Sequence, residues 1–453
     1  MAECRHYKIC DLEADHSTEL CILHSEDPEK PLDTFNEAFA KHCEANGYNF
    51  AHMFFPDVVD FSQRTYTKHV DFTNATFAKL ANFNGAIFTQ QAKFTNATFA
   101  DGASFGGAKF KEMAFFDFAT FNEGLPFHRN AVFLRATFTK GVSFFRAHFA
   151  VRASFIHTTF KKLANFNFVI FRSEADFQEA RFAGRVIFSC GRFDGRTLFT
   201  GRLENRQPIP TFSEAQEVDF RDVIFGASDV IFRHANLQKC RFLNTDLRQV
   251  QLVDITWARK KPRFTLAGRK YTKWHRLCLY DEIAPLNPEE NLPWGQLEHL
   301  YRQLKRNYEE QRDYERAGDF HYGEKEMRRQ NSDTSWWHRF LLLWPYWLIS
   351  GYGERIWRPL VAAGVILAAF AFVCLLYRLT PTKPSTSVRP LALNNIVAWG
   401  EALLYSFRVM TLQKPQDFVL SGLLINLIHT LQGLIGPFLI GLIALAVRQR
   451  LKR

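Results

Sequence analysis

The stretch FTNATFAKLANFNGAIF (72–88) puts phenylalanine at 72, 77, 83 and 88, in steps of five, six and five. The ladder runs on through Phe94, Phe99, Phe105, Phe110, Phe116 and Phe121, slips once at Phe127 and Phe133, and resumes from Phe138 to Phe199. Two residues before most of its rungs stands something small, as at Ala75, Ala81, Ala86 and Ala92. Neither the helical period of 3.6 nor the strand period of 2 fits this spacing. A step near five suits a chain that turns a corner at every repeat, so that four repeats close a square coil of about 22 residues. Phenylalanine fills the axis, and the small residue leaves room for it, as close packing requires. Residues 61–252 then make about nine coils, a rod about 40 Å long at the spacing of neighbouring strands.

The pattern FxxAxFxxxAxF, clearest in FTNATFAKLANF (72–83) and FTNATFADGASF (94–105), resembles the pentapeptide-repeat family in its Phe-centred variant. The resemblance implies a mainly β fold, a right-handed quadrilateral β-helix, here over residues 51–256. The ladder breaks at GRLENRQPIPT (201–211), where two prolines mark a loop. It resumes as Phe220, Phe225, Phe232, Leu237, Phe242, Leu247 and Leu252. Some members of the family mimic DNA, which needs an acidic rod. Here residues 61–257 carry 25 Lys and Arg against 17 Asp and Glu, so DNA mimicry is not expected. The basic residues, among them Arg135, Lys140, Arg146, Arg152, Lys161 and Lys162, are scattered, and no nucleic-acid motif accompanies them. Nucleic acid is not expected as a partner.

The whole chain of 453 residues has a net charge of +11, compatible with anionic lipid, nucleic acid or a cytoplasmic membrane face. Its eight cysteines show no disulfide-framework spacing, and no apolar run follows the start, so a reducing compartment is expected. In residues 1–50, Cys4, Cys10, Cys21 and His24 form a Cys3His set for a structural zinc ion, with CILH supplying two ligands at a usual spacing. His6, His16 and Cys43 compete as ligands, and unligated reduced cysteines are the alternative. This segment would also cap the open end of the solenoid, which terminal repeats require.

Residues 257–334 read as a linker with two amphipathic helices. Leu297, Leu300, Tyr301, Leu304 and Tyr308 make the apolar stripe of the first, and Gly318 is expected to break the pair. His321, Glu324 and Glu326 read as helix surface rather than a metal or catalytic group. Residues 335–357 hold five tryptophans and two tyrosines around Pro345, the composition of an interfacial helix. The stretch 360–377 is apolar throughout and flanked by Arg358 and Arg378, and the stretch 419–447 carries no charge. Each is long enough to span a bilayer. The basic tail RQRLKR (448–453) predicts both termini in the cytoplasm.

The linker, with DFHYGEKEMRR (319–329) and GYGERIWRPL (351–360), resembles bacterial membrane proteins that join pentapeptide repeats to a two-helix, potassium-channel-like module (358–453). Within it ALLYSFRVMTL (402–412) looks like a re-entrant pore helix. The resemblance implies a homo-oligomer, a tetramer, in the bacterial cytoplasmic membrane. A potassium filter needs a glycine-containing run whose carbonyls face the axis. The matching stretch TLQKPQD (411–417) has no glycine and carries Lys414, so potassium selectivity is not implied. Thr411, Gln413 and Lys414 are the candidate pore loop. Asn426, His429, Gly433 and Gly436 share one helical face, as a water path or as helix packing requires.

No P-loop, nucleophile elbow or dinucleotide motif is present, and an enzyme is not expected. Three functional readings follow: a channel-like membrane protein whose cytoplasmic β-helix senses or binds a protein partner, a non-conducting membrane-anchored scaffold, and an effector that permeabilises the membrane in a stress or phage-defence response.

Overall fold

The computed structural model describes residues 4–6, 12–14, 18–122, 130–204, 207–226, 229–260, 276–284, 293–354, 357–376, 380–381, 396–413, 418–419 and 423–451. The chain divides into two compact units, residues 1–307 and 308–453.

The first unit is a parallel β-solenoid with four sides. Each side is a sheet of very short strands, eight, nine, six and eight of them. Successive strands on a side pair in register one coil apart, as in Phe55 with Phe77 and Phe77 with Phe99. Four stacks of aligned rings run up the inside: Phe77 on Phe99, Phe83 on Phe105, Phe88 on Phe110 and Phe94 on Phe116 all have centroids 4.7–4.9 Å apart. That spacing is the distance between hydrogen-bonded strands, so backbone pairing and ring stacking share one repeat. Phe72, Phe77, Phe83, Phe88, Phe94, Phe99 and Phe105 are fully buried, Phe110 almost so, and the alanines at 75, 81, 86, 92 and 97 have no exposed surface either.

The alternation of five and six has a backbone cause. The Ala75 N–H donates to the Phe72 carbonyl (3.0 Å), closing a β-turn whose third residue, Asn74, has φ +56°. The same left-handed position recurs every eleven residues at Gln63, Gly85, Asn96, Gly107 and Phe118, and again from Arg135 to Cys190. A turn with positive φ at its third residue favours Gly or Asn, which accounts for the TNA and NGA triplets at alternate corners.

The slip in the ladder is a six-residue insertion at one corner. Phe99 pairs with Phe121 at the usual interval, but Phe105 stacks on Phe133, one rung later than the period alone would place its partner. Phe127 itself lies outside the described residues. The proline-marked interruption is an antiparallel hairpin, Arg202–Glu204 with Gln207–Ile209, rather than an unstructured loop. Phe193 then pairs with Phe225, and stacking resumes from Phe199 to Phe232 at 4.8 Å.

Helices close both ends of this unit. α1 (Leu32–Asn46) lays Phe35 and Phe39, four residues apart on one face, on Phe50, Phe55 and Phe61 of the first coil, with centroids 5.5–6.3 Å apart. At the far end come the single turn α2 (Tyr280–Ile283) and then α3 (Trp294–Glu310). The expected stripe of α3, Leu297, Leu300, Tyr301 and Leu304, is buried. The Gln303 amide oxygen accepts the Leu247 N–H (2.9 Å), and Asn307 Nδ2 donates to the Leu247 and Val250 carbonyls (2.8 and 2.7 Å). Beside them Glu282 joins Lys260, Arg276 and Tyr301 in a buried polar group. Burial pushes the Asp281 carboxyl up to about 6, against the pull of the Phe242 N–H that it accepts at 2.9 Å.

The second unit is helical. α4 (Tyr314–Gln330) starts at Asp313, whose side chain accepts the Arg316 N–H. The break from α3 therefore lies at residues 311–313, where Arg312 has φ +60°. Gly318, expected to separate the helices, is buried inside α4; a glycine weakens a helix by only about 1 kcal/mol, whereas the Asp cap fixes a start. Glu324 is buried, and Glu326 accepts from both Arg329 and Tyr352. These two carboxylates are tied into the packing and are not helix surface, which corrects the expectation for them. A π-helical turn, His338–Leu343, leads into α5 (Trp344–Ser350), which ends at Gly351 with φ +57°. α6 (Trp357–Leu376), α7 (Ile396–Met410) and α8 (Leu423–Leu451) pack on one another. Short strands Thr380–Pro381 and Phe418–Val419 pair between them.

Candidate metal centre and apolar helical unit

Near the N-terminus, Cys4, Cys21 and His24 are all buried, and their ligand atoms lie within 4.8 Å of one another. His24 Nδ1 is 3.1 Å from Cys21 Sγ and 3.6 Å from Cys4 Sγ. The turn from Cys21 builds this: the His24 and Ser25 N–H groups both donate to the Cys21 carbonyl, and the Cys21 N–H donates to Cys4 Sγ (3.4 Å). Lys30 fastens the turn to the first coil, its Nζ donating to the Ile22, Ser25 and Phe54 carbonyls at 2.8–2.9 Å. Burial lowers that ammonium to about 8. Burial also raises the Cys4 thiol, although backbone N–H groups of His6 and Cys21 pull the other way. The His6 ring stacks near His24 and His52, with centroids 4.8 and 4.4 Å away; burial and those two rings hold it down at about 4, so it is neutral at pH 7.

Two thiols and an imidazole nitrogen at these separations are compatible with three corners of a tetrahedral zinc site. Cys10 and His16 lie outside the described residues, and Cys43 is not among the three grouped ligands. The residues present fit a zinc ion: soft and borderline donors, buried, with backbone N–H groups turned on the Cys4 sulfur.

The helical unit has two helices long and apolar enough to cross a membrane, Trp357–Leu376 and Asn426–Arg448. Its interior mixes large apolar side chains, Phe370, Leu375, Tyr405, Val409, Met410 and Leu439, with alanines and a small polar group. Ser406 Oγ on α7 donates to the Leu367 carbonyl on α6 (3.2 Å), and Gln432 Nε2 on α8 donates to Ser406 Oγ and to its carbonyl (2.7 and 3.0 Å). Ala371, Cys374, Ala402 and Leu439 are buried around this bridge, and a Cβ at Gly436 would collide with the Met410 carbonyl. Large apolar side chains point outward: Val361, Val365, Leu404, Leu434 and Phe438 are all more than half exposed.

Of the residues read as one polar face, His429 sits between the Phe370 and Tyr405 rings (6.4 and 6.2 Å) and Gly436 against Met410. Asn426 is exposed, and nothing lies within 4 Å of a Cβ placed at Gly433. Thr411 donates from Oγ1 to the Phe407 and Arg408 carbonyls and Gln413 is exposed, while Lys414 lies outside the described residues. Sequence reasoning missed Ser406 and Gln432, which pair between two separate helices. Comparison with protein-family models, curated proteins and solved structures finds no match to this chain.

Proposed function

We propose that this is an integral membrane protein in which a cytoplasmic pentapeptide-repeat solenoid senses or binds a protein partner and is carried by a degenerate, channel-like two-span unit assembled from several copies. The observation that carries the reading is the apolar outer surface of the helical unit on two helices long enough to span a bilayer. Val361, Val365, Leu404, Leu434 and Phe438 are all more than half exposed, while the Ser406–Gln432 hydrogen bonds are kept inside, the arrangement that lipid selects. α6 and α8 supply two crossings, so the solenoid and the C-terminal tail lie on one side, and the basic tail makes that side the cytoplasm. α7, between the crossings and 15 residues long, takes the place of the re-entrant helix. The pore loop after it lacks filter glycines, and a ring of Lys414 side chains at the axis would repel cations. The unit then conducts poorly, with a leaning to anions, or is closed at rest. Bilayer recording of wild type beside Lys414→Glu tests this: charge reversal should move the reversal potential toward cations, and unchanged selectivity removes Lys414 from the axis.

The Ser406–Gln432 bridge favours the second reading, a non-conducting scaffold, because it uses these polar groups to hold one chain's helices together and not to line water. A monomer by crosslinking with no conductance under any condition would establish it. At the other end of the chain, Cys4, Cys21 and His24 hold a structural zinc ion, with Cys10 as fourth ligand, and the ion locks the N-terminal turn over the first coil. Elemental analysis should find about one zinc per chain, as a four-ligand structural site requires. Metal-free protein from a chelator-free preparation would exclude it.

A further inference from the structure

Within the helical unit a cavity of about 410 Å³ opens between the end of α4, the π-helical turn, α5 and α8. This is within the range of small-molecule sites. Its lining combines apolar side chains, Leu342, Ile349, Phe438 and Leu442 among them, with Lys325, Arg328 and His338. No acidic side chain lines it among the described residues. Lys325 has only Glu324 near, at 3.7 Å, and Arg328 has no carboxylate within ion-pair distance among the described residues. His338 Nδ1 is buried with no hydrogen-bond partner there. The Arg328 charge, without a carboxylate partner among the described residues, lies beside apolar side chains in one cavity, and an anionic, partly apolar molecule would complement both.

We infer that this cavity binds one anionic diacyl phospholipid, its phosphate held by Lys325 and Arg328 and an acyl chain laid along Ile349, Phe438 and Leu442. The inference rests on the membrane reading above, and three observations favour lipid over a soluble anion. The flanking Trp336 and Trp337 rings are stacked at 3.8 Å and more than half exposed, as are Phe340, Leu341 and Leu342. Tryptophans with such exposure gather at headgroup level. The α8 residues at the cavity belong to the half of that helix that runs out into the basic tail, so the site faces the leaflet in which anionic lipids attract lysine and arginine. Finally, apolar side chains make up too large a part of the lining for a bare phosphate to cover.

The test uses the full-length chain in nanodiscs of equal parts phosphatidylglycerol and phosphatidylcholine, then release into neutral detergent and native mass spectrometry of the retained lipid. Wild type should keep phosphatidylglycerol over phosphatidylcholine at least fivefold. Lys325→Gln/Arg328→Gln should lose that preference while melting like wild type, and Ile349→Trp, which fills the cavity, should lower retention of both lipids. Glycerol phosphate at millimolar concentration should not displace the bound lipid. Equal phosphatidylglycerol preference in the double variant, or displacement by glycerol phosphate, overturns the lipid site while leaving the membrane reading intact. A chain that stays soluble without detergent and does not enter the nanodisc overturns both.

Discussion

The solenoid and the helical unit both bury large apolar side chains and differ in what they leave on the surface. In the solenoid the largest side chains are inside, four rings to a coil, and the surface is charged and polar. In the helical unit Phe370, Tyr405, Met410 and Leu439 are inside together with alanines and the Ser406–Gln432 pair, and many other large apolar side chains, Leu434 and Phe438 among them, face out. On the proposed membrane reading, the contrast follows from what each is solvated by. Water drives phenylalanine to an axis, whereas in lipid no such force acts between helices, and close approach and hydrogen bonds must hold them.

The same substitution should therefore be fatal at opposite kinds of site. Phe105 has no exposed surface and stacks on Phe83 and Phe133. Phe105→Asp places an unpaired carboxylate on the axis and should cost more than about 5 kcal/mol, seen as loss of the strand signal in circular dichroism. A variant that melts like wild type would mean the rings do not form the core. Leu434 is 69 % exposed, and in a water-soluble protein Leu434→Asp would be harmless. Facing lipid, it should cost about 3 kcal/mol of insertion, read as a shift of the chain from the carbonate-resistant to the extractable fraction. Full retention in the membrane fraction would break the comparison. The smallest effect belongs to the polar bridge. Gln432→Leu should destabilise the helical unit by only about 1 kcal/mol, in keeping with hydrogen bonds between helices in lipid. Detergent-titrated unfolding measures it, and a loss several times larger would show a water-like interior.

The solenoid was legible because its signal is local and repeated. Each rung of the Phe ladder meets its neighbours at a fixed chain distance, so one period predicts every contact from Phe61 to Phe199 apart from the single slip. What lacked a repeat was harder. α1 carries Phe35, Ala38, Phe39 and His42 at helical spacing, a signal short enough to be masked by the cysteines around it. The Cys21–His24 pair was legible from its spacing, and its meeting with Cys4 agrees with the ligand set. On α8, Asn426 and Gly433 stand out in the sequence, whereas Gln432 finds its partner in Ser406, a pairing that depends on how α7 docks. The end of α3 was misplaced because a glycine caught the eye where an Asp cap decided the boundary.

A stack of near-identical coils has no intrinsic length. The backbone groups that join one coil to the next are equally ready to join the last coil of one molecule to the first of another. Here the two amides of Gln303 and Asn307 already occupy the Leu247 and Val250 groups, and the Phe35–Phe39 face of α1 occupies the opposite end. These are chain terminators in the polymer chemist's sense. A truncated protein without residues 294–307 would keep every coil and lose the stopper, and its expected fate is head-to-tail growth into fibres.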